Sequence, residues 1–299
     1  MQYAGTHYIY HPSRSDTLRI WALADIHLGN LGCHKELLAR HIAEIADDPL
    51  SYWVGLGDYA DYVHAHDPRF DPELLDPDIP ARDIGRLGKY LTSHVRDIFA
   101  PIKEKCIGLV YGNHEFQYMK RNDSQDQHAW LCTELGVPNL GYSFRANVCF
   151  VRRASAKKLY GRVHRFRDDK KPGGSAVQVR LYGHHGAGAA ATPSGKTRRL
   201  QLFMERWDAD IYFVGHVHGQ QALTLVRGSA KNACTEAAEE IRIGSITGSY
   251  LKSYPDGAQA GYGERAGYSL APLGATVLDF TPETREASIR MRATIGAEV

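Results

Sequence analysis

The sequence predicts an α/β fold in which β-sheets pack together and carry helices on their outer sides. Short apolar runs alternate with helix-spaced stretches in the first half of the chain, and closely spaced strand-like runs follow in the second half. We find no internal repeat and no clear linker in the 299 residues, so a single domain over residues 1–299 is the simplest prediction.

In the first half, three apolar runs predict buried strands: Leu18–Ala24, Tyr52–Leu56 and Cys106–Tyr111. The segments between and after them predict helices over Lys35–Ala46, Asp83–Lys105 and Gln125–Leu135, with a loop rich in Pro and Asp over 64–82. The second half predicts strands at Ser143–Arg152, Val177–Tyr182, Ile211–Val214, Ala222–Val226, Ile241–Ile246 and Gly274–Phe280.

The composition excludes several classes of protein. The 36 basic and 34 acidic side chains nearly cancel, which argues against a protein that coats nucleic acid through net charge. The first residues show no signal peptide, and no apolar run is long enough to span a membrane. The five cysteines form no C-x-x-C pair, so we expect reduced, mostly buried thiols in a cytoplasmic protein.

Potential metal ligands follow five of the strand-like runs. They are Asp25-Ile26-His27, Gly57-Asp58, Gly112-Asn113-His114-Glu115, Gly183-His184-His185-Gly186 and Gly215-His216-Val217-His218. The carboxyl ends of strands in open α/β sheets face one crevice, so these groups are expected to converge. Residues separated by one point the same way on an extended backbone, which predicts that Asp25 and His27 reach one ion together, as do His216 and His218.

Each of these short motifs has an ordinary structural explanation when taken alone. A single D-x-H can be a turn or a helix start, and G-N-H can be a tight turn. Their occurrence together and in order, each at the end of a strand, favours a metal site. Carboxylate, imidazole and amide oxygen ligands suit ions such as Mn, Fe or Zn.

The order D-x-H, G-D, G-N-H-E, H and G-H-x-H resembles that of the calcineurin-like metallophosphoesterases, over Asp25 to His218. This resemblance implies two mixed β-sheets packed as a sandwich and flanked by helices. Three further strings resemble elements of the phage-type and bacterial branch of these enzymes: Asp67–Asp71, Gly186–Lys196 and Tyr262–Arg265. As plain structure, Gly186–Lys196 would be a surface loop, and Tyr262 and Glu264 would be packing residues.

The resemblance also implies a set of ligands for two divalent cations, with Mn²⁺ expected first and Fe, Zn or Ni as alternatives. The first ion would be held by Asp25, His27 and His218, and Asp58 would bridge both ions. Asn113, His216 and one histidine of the 184–185 pair would hold the second ion. We prefer His185, although strand length alone does not exclude His184, whose ordinary explanation is a neighbour of the site. His114 would be the general acid, and Glu115 would orient it or simply begin a helix.

The sequence departs from the related Ser/Thr protein phosphatases after the bridging aspartate. Those enzymes continue with an arginine that helps to hold phosphate, whereas Tyr62 stands at that place here. Activity on phosphoproteins is therefore not the first expectation.

The hypotheses for function differ in their substrates. The first is a phosphodiesterase, acting on a nucleic acid or a nucleotide, and the second is a phosphomonoesterase acting on a metabolite or phosphoprotein. The third is a non-catalytic nucleic-acid-binding module. It would use the basic stretch between Arg145 and Lys171, which would otherwise be a solvated hairpin edge. No membrane partner is expected.

Overall fold

A computed structural model of the chain describes residues 1–63, 67, 70–122, 126–155, 157–166, 175–188, 190, 192–231, 236–255, 260, 262–265, 267, 269–283 and 288–295. These residues form two mixed β-sheets packed face to face, with helices on both outer sides. The predicted α/β sandwich is confirmed.

The strands, in chain order, are β1 (Gln2–His11), β2 (Leu18–Leu23), β3 (Ser51–Gly55), β4 (Cys106–Leu109), β5 (Ser143–Arg152), β6 (Val163–His164), β7 (Ser175–His184), β8 (Ile211–Val214), β9 (Gln221–Lys231), β10 (Glu236–Ile246), β11 (Thr276–Glu283) and β12 (Ser288–Ile295). The helices are α1 (Lys35–Asp47), α2 (Leu87–Phe99), α3 (Asn113–Arg121), α4 (Gln127–Leu135), α5 (Pro193–Arg206) and α6 (Tyr262–Arg265).

One sheet has seven strands in the order β6-β1-β5-β7-β8-β10-β9, and the other has five in the order β12-β11-β2-β3-β4. Strands β2, β3 and β4 are mutually parallel, and β7, β8 and β10 are parallel in the larger sheet. The carboxyl ends of β2, β3 and β4 therefore share one edge, and those of β7 and β8 share another. These are the two edges at which the predicted ligands lie.

The main core lies between the sheets and draws apolar side chains from both, such as Ile20 and Val54 from one and Phe144 and Phe213 from the other. A second core packs α1, α2 and α4 on the outer face of the five-stranded sheet, around Trp53 and Phe99. A third packs α5 on the seven-stranded sheet through Leu200 and Met204. Burial of these faces fixes the strand ends relative to one another.

The structure differs from the sequence prediction in the predicted helix over 83–105. It is divided into a 3₁₀ helix at Ala81–Arg86, α2, and a second 3₁₀ helix at Ala100–Lys105. Pro101 lacks the backbone N–H that a continuing α-helix would use, so α2 ends before it. The elements β1, β12, α3 and α5 were not predicted, and only part of the predicted loop over 64–82 is described.

Four of the five cysteines lie in the described residues. Cys33, Cys106, Cys132 and Cys149 are buried, and none of the four lies in a disulfide. Among the described helices, none combines the length and apolar character needed to cross a bilayer.

His7 is fully buried, on the same face of β1 as the core residue Ile9. Burial, with the nearby charge of Arg165 adding to it, lowers the pKa of His7 from 6.5 to about 3. Below pH 6.5, His7 therefore binds a proton in the unfolded chain but remains neutral in the folded chain. Folding stability should fall as the pH decreases through this window.

We predict that His7→Leu reduces this loss of stability in acid. Between pH 7.5 and 4.5, the free energy of unfolding should fall by about 2 kcal/mol less in the variant than in the wild type. Urea denaturation at both pH values measures the difference. The exposed His94→Leu is the control and should leave the pH dependence as it is. An unchanged pH dependence in His7→Leu would contradict the proposed cause.

Candidate metal centre

The strand ends bring the predicted ligands together. Asp25 follows β2, Asp58 follows β3, and His216 follows β8, while Asn113 begins α3 just after β4. His185 immediately follows β7. Residues far apart in sequence thus lie around one crevice, where the edges of the two sheets meet.

The nitrogen and oxygen atoms of these side chains form three overlapping groups. Within each group, the potential ligand atoms lie within 4.8 Å of one another. The groups are Asp25, His27 and His218; Asp25, Asp58, His185 and His216; and His27, Asp58 and His114. Asn113 adjoins the second group, since its Oδ1 lies 3.0 Å from His185 Nε2. The chain therefore has Asp and His clusters that could hold metal ions.

Asp58 belongs to two of these groups, one with His185 and one with His27, and Asp25 and His27 also belong to two groups each. Oδ1 of Asp58 accepts a hydrogen bond from the backbone N–H of His114 at 2.9 Å, and its Oδ2 lies 3.4 Å from His185 Nε2. Burial would raise the pKa of Asp58, but the surrounding imidazoles, His185 first, outweigh it and hold the pKa well below its usual range.

The backbone of the site is in an unusual conformation. Six non-glycine residues among those described have positive φ, and five of them are predicted ligands: Asp25, His27, Asp58, His216 and His218. Our expectation that D-x-H and H-x-H converge through an extended backbone was wrong, because φ is 51° at Asp25 and at His27, 69° at His216 and 43° at His218. His216 and His218 also fall in different ligand groups, whereas Asp25 and His27 share one. Left-handed conformations at non-glycine residues are costly and concentrate at functional sites.

Backbone hydrogen bonds hold the two aspartate loops side by side. The N–H groups of Ile26 and His27 both donate to the carbonyl of Asp58, at 2.9 and 3.1 Å. The chain at Gly112 passes so close that a Cβ there would lie 2.1 Å from Asp58 Oδ1. Only glycine fits at that position, which explains the residue before Asn113.

Two buried atoms of the cluster have no hydrogen-bond partner among the described residues. They are Asp25 Oδ1 and His27 Nε2. The other atoms of the same side chains are satisfied: Asp25 Oδ2 accepts from the N–H of His216 at 2.8 Å, and His27 Nδ1 faces Asp61 Oδ1 at 3.1 Å. Asp25 Oδ1 lies 3.4 Å from His218 Nε2, and a buried carboxylate oxygen next to imidazole nitrogens suits the binding of a cation.

The two adjacent histidines have different surroundings. His185 is fully buried, and its Nδ1 donates to the carbonyl of Leu56 at 2.7 Å, which leaves Nε2 directed at Asp58 and Asn113. His184 instead contacts the ring of Phe203 on α5, and its Nδ1 accepts from the N–H of Gly186 at 2.7 Å. The structure thus brings His185, and not His184, into the cluster.

Asp61 was not among the predicted site residues. Its carboxylate holds His27 through Nδ1, and its backbone carbonyl accepts a hydrogen bond from His114 Nδ1. The carboxylate also lies 3.4 Å from His114 Nδ1. Burial would raise the pKa of Asp61, but His27 and His114 lower it overall, so the group stays ionised. One aspartate thus orients both a predicted ligand and the predicted acid.

Glu115 lies in the first turn of α3, in agreement with the helix-start alternative for this residue. Its buried carboxylate accepts three backbone hydrogen bonds, from Gly112 at 2.8 Å, Asp58 at 3.0 Å and Tyr59 at 2.8 Å. It therefore ties the start of α3 to the loop after β3. Burial raises the pKa of Glu115 to about 7, with the charge of Asp58 adding to the effect.

A cleft of about 750 Å³ opens from the cluster. His27, Asp58, Asn113, His114, His216 and His218 lie in its wall. Residues from the three short strings noted in the sequence line it as well: Phe70, Asp71, Gly188, Ala190, Lys196, Gly263 and Arg265. The three strings, far apart in the sequence, therefore contribute to one cavity, whose volume is usual for a small-molecule site.

No protein-family model matches the chain, and no curated protein matches it in sequence. Solved structures with a similar fold include a single mutant of Vps29 from Entamoeba histolytica. The TM-score is 0.36 and the sequence identity is 9%, over 93% of this chain and 98% of that chain. A likeness of this size establishes neither family nor activity, so the assignment depends on the side chains of the cluster.

We predict that Asp61→Asn weakens metal binding by about 10- to 100-fold, because the amide can turn its NH₂ group towards His27 and no longer fixes that ring. Calorimetric titration of metal-free protein with Mn²⁺ measures the affinity. Asp97→Asn removes a carboxylate from the surface of α2 and serves as the control. Equal Mn²⁺ affinity in Asp61→Asn and Asp97→Asn would remove Asp61 from the site.

Proposed function

We propose that the chain is a metal-dependent phosphoesterase that hydrolyses phosphate esters, with phosphodiesters preferred, at a centre of two divalent cations. The observation that carries this proposal is the position of Asp58 between ligand groups on either side, in a strained and buried crevice that opens into a cleft. Such strain persists only where the surrounding structure maintains it, and a purely structural turn would not need it.

In this proposal Asp25, His27 and His218 hold one ion, and Asn113, His185 and His216 hold the other, with Asp58 between them. When bound, the ions would lower the pKa of water towards neutrality and offset negative charge on the phosphoryl group. Mn²⁺ suits this mixture of imidazole and oxygen donors, with Fe, Zn or Ni as alternatives. The resemblance to calcineurin-like metallophosphoesterases leads to the same set of residues.

His114 is suited to deliver a proton to the leaving oxygen. Its Nδ1–H donates to the carbonyl of Asp61, which orients the ring, and the residue lines the cleft, so we assign the proton transfer to Nε2. The Asp61 carboxylate, 3.4 Å from Nδ1, stabilises the cationic ring that a general acid requires. Asp61 is thus a positioning residue for the proton transfer.

A preference for diesters follows from the charge of the substrate. A phosphomonoester near neutral pH carries about one more negative charge than a diester, as the second pKa of a phosphate monoester near 6 implies. Tyr62, which stands where the protein phosphatases have an arginine, supplies no positive charge to balance this additional negative charge. The tyrosine is 2% exposed, and its hydroxyl is hydrogen-bonded to Thr92 at 2.8 Å, away from the cleft.

The basic stretch gives little support to a nucleic-acid-binding module that uses the same crevice. In the pairing of β5 with β7, Ser143 lies opposite His184, whereas Arg152 lies opposite Ser175. The stretch after Arg152 therefore starts about 30 Å along the strand from the cluster. Arg165 is held by the carbonyls of Cys106 and Ile107. Residues 167–171 lie outside the described residues.

We predict that the protein with Mn²⁺ hydrolyses bis-p-nitrophenyl phosphate faster than p-nitrophenyl phosphate. Asp58→Asn should abolish both activities and reduce bound metal below two ions per chain, because the shared carboxylate is lost. Release of p-nitrophenolate and elemental analysis measure the two effects. Full turnover with both ions bound in this variant would reject the bridging role, and faster monoester hydrolysis by the wild type would favour the phosphomonoesterase.

We predict that His114→Asn slows substrates with poor leaving groups most. The loss should be about 10²- to 10⁴-fold for an alkyl phosphodiester and much smaller for a p-nitrophenyl diester, whose leaving group needs no proton. The slope of log kcat against leaving-group pKa measures this difference and should become steeper in the variant. Equal losses for both kinds of substrate would argue against an acid role.

A further inference from the structure

Beyond the predicted ligands, two kinds of side chain line the cleft. The apolar ones are Val63, Phe70, Leu74, Leu75, Val217 and Leu251. The cationic ones are Lys196, Lys252 and Arg265. They belong to α5, to the segment after β10 and to α6, whereas the scissile phosphate of the proposed reaction would lie over Asp58.

Lys196 is the cation most closely connected with the cluster. It lies in the first turns of α5, and its Nζ donates to the backbone carbonyl of His218 at 3.0 Å. Among the described residues, no carboxylate lies within 4.0 Å of this ammonium. An ammonium group has three N–H donors, and this hydrogen bond uses one of them, so donors remain for a ligand.

Lys252 is the second such cation. It follows Leu251, which is bridged to Cys33, and its backbone N–H donates to the carbonyl of Gly32 at 2.9 Å. Within the described part of the chain it also forms no ion pair with a carboxylate. Arg265 differs, because its guanidinium lies 3.5 Å from Asp71 Oδ2 and is already compensated. The uncompensated charge of the cleft is therefore that of the two lysines.

We propose that Lys196 and Lys252 bind a second phosphate group of the substrate, so that the site selects nucleotide-based phosphodiesters that carry a further phosphate. This inference rests on the proposed function. The volume of about 750 Å³ accommodates a ligand of nucleotide size. Apolar side chains in the cleft lining, such as Phe70 and Leu251, offer a surface for a base. Ammonium groups hold phosphate through charge-assisted hydrogen bonds.

The test uses three thymidine dinucleotides: one without a terminal phosphate, one with a 5′-phosphate and one with a 3′-phosphate. With Mn²⁺, the wild type should show a kcat/KM about tenfold higher for at least one phosphorylated form, as expected for a hydrogen bond to a charged group. Lys196→Met and Lys252→Met should each reduce that ratio towards one. Lys196→Arg should retain most of it because it keeps the charge.

Lys103→Met is the matched control, since it removes an exposed lysine from the segment before β4, at the other end of that strand from the cluster. It should keep the wild-type ratio. An equal fall of kcat/KM for all three dinucleotides in Lys196→Met would overturn the inference, because the lysine would then act only by supporting His218.

Bis-p-nitrophenyl phosphate separates failure of the two proposals. Wild-type protein that hydrolyses this diester with Mn²⁺ but does not distinguish the dinucleotides would reject the second-phosphate site alone. Protein that hydrolyses none of these substrates with any of the expected ions would reject the proposed function, and the inference with it.

Discussion

The site depends on the buried carboxylate of Glu115, which joins two segments that the sheet alone would leave independent. It accepts backbone hydrogen bonds from Asp58, Tyr59 and Gly112, and so fixes the loop after β3 against the start of α3. This contact holds Asp58 in its left-handed conformation, where its Oδ1 meets the N–H of His114. Hydrogen bonds contribute about 0.5–1.5 kcal/mol each, so three of them are enough to offset the strain of one such residue, about 1–3 kcal/mol.

The structure tolerates this backbone strain because the strands around the site are rigidly packed. Strands β2, β3 and β4 run parallel between two apolar layers, and Leu23, Val54 and Leu109 are completely buried just before the loops begin. The packed core leaves the strand ends little freedom to relax, since interiors have the density of organic crystals. The free energy gained by burying the strands therefore stabilises the left-handed backbone conformations in the loops at their ends.

The sequence predicted the layers and the ligand-bearing strand ends because these depend on local patterns. Apolar runs stopping at Asp25, Asp58 and His216 are visible in a single sequence, and the packing of the sheets follows from burying such runs. Asp61 was missed because its importance comes from a loop that turns its side chain to His27 and its carbonyl to His114. The spacing of residues in the sequence does not reveal such a turn.

Long-range register limited the remaining predictions. The antiparallel pairing of β5 with β7 decides that the part of the basic stretch after Arg152 starts far from His184, and composition does not reveal this pairing. Lys196 lies on α5. The sequence predicted a loop there because the residues before the helix are rich in Gly and Ala. Contacts between residues far apart in sequence thus decide which residues surround each functional group. The type of each functional side chain, by contrast, can be read from the local sequence.

Charge explains why the proposed centre requires cations to handle a phosphate. Asp25, Asp58 and Asp61 are ionised within one crevice, since each has its pKa lowered by neighbouring histidines. Three carboxylates would repel a phosphate ester, and Lys196 and Lys252 lie along the cleft rather than among them. Divalent ions bound between the aspartates and imidazoles would place positive charge where the phosphoryl group of the proposed reaction would lie. In the proposed function, the lysines would then select the substrate, while the residues expected to bind metal would govern the reaction.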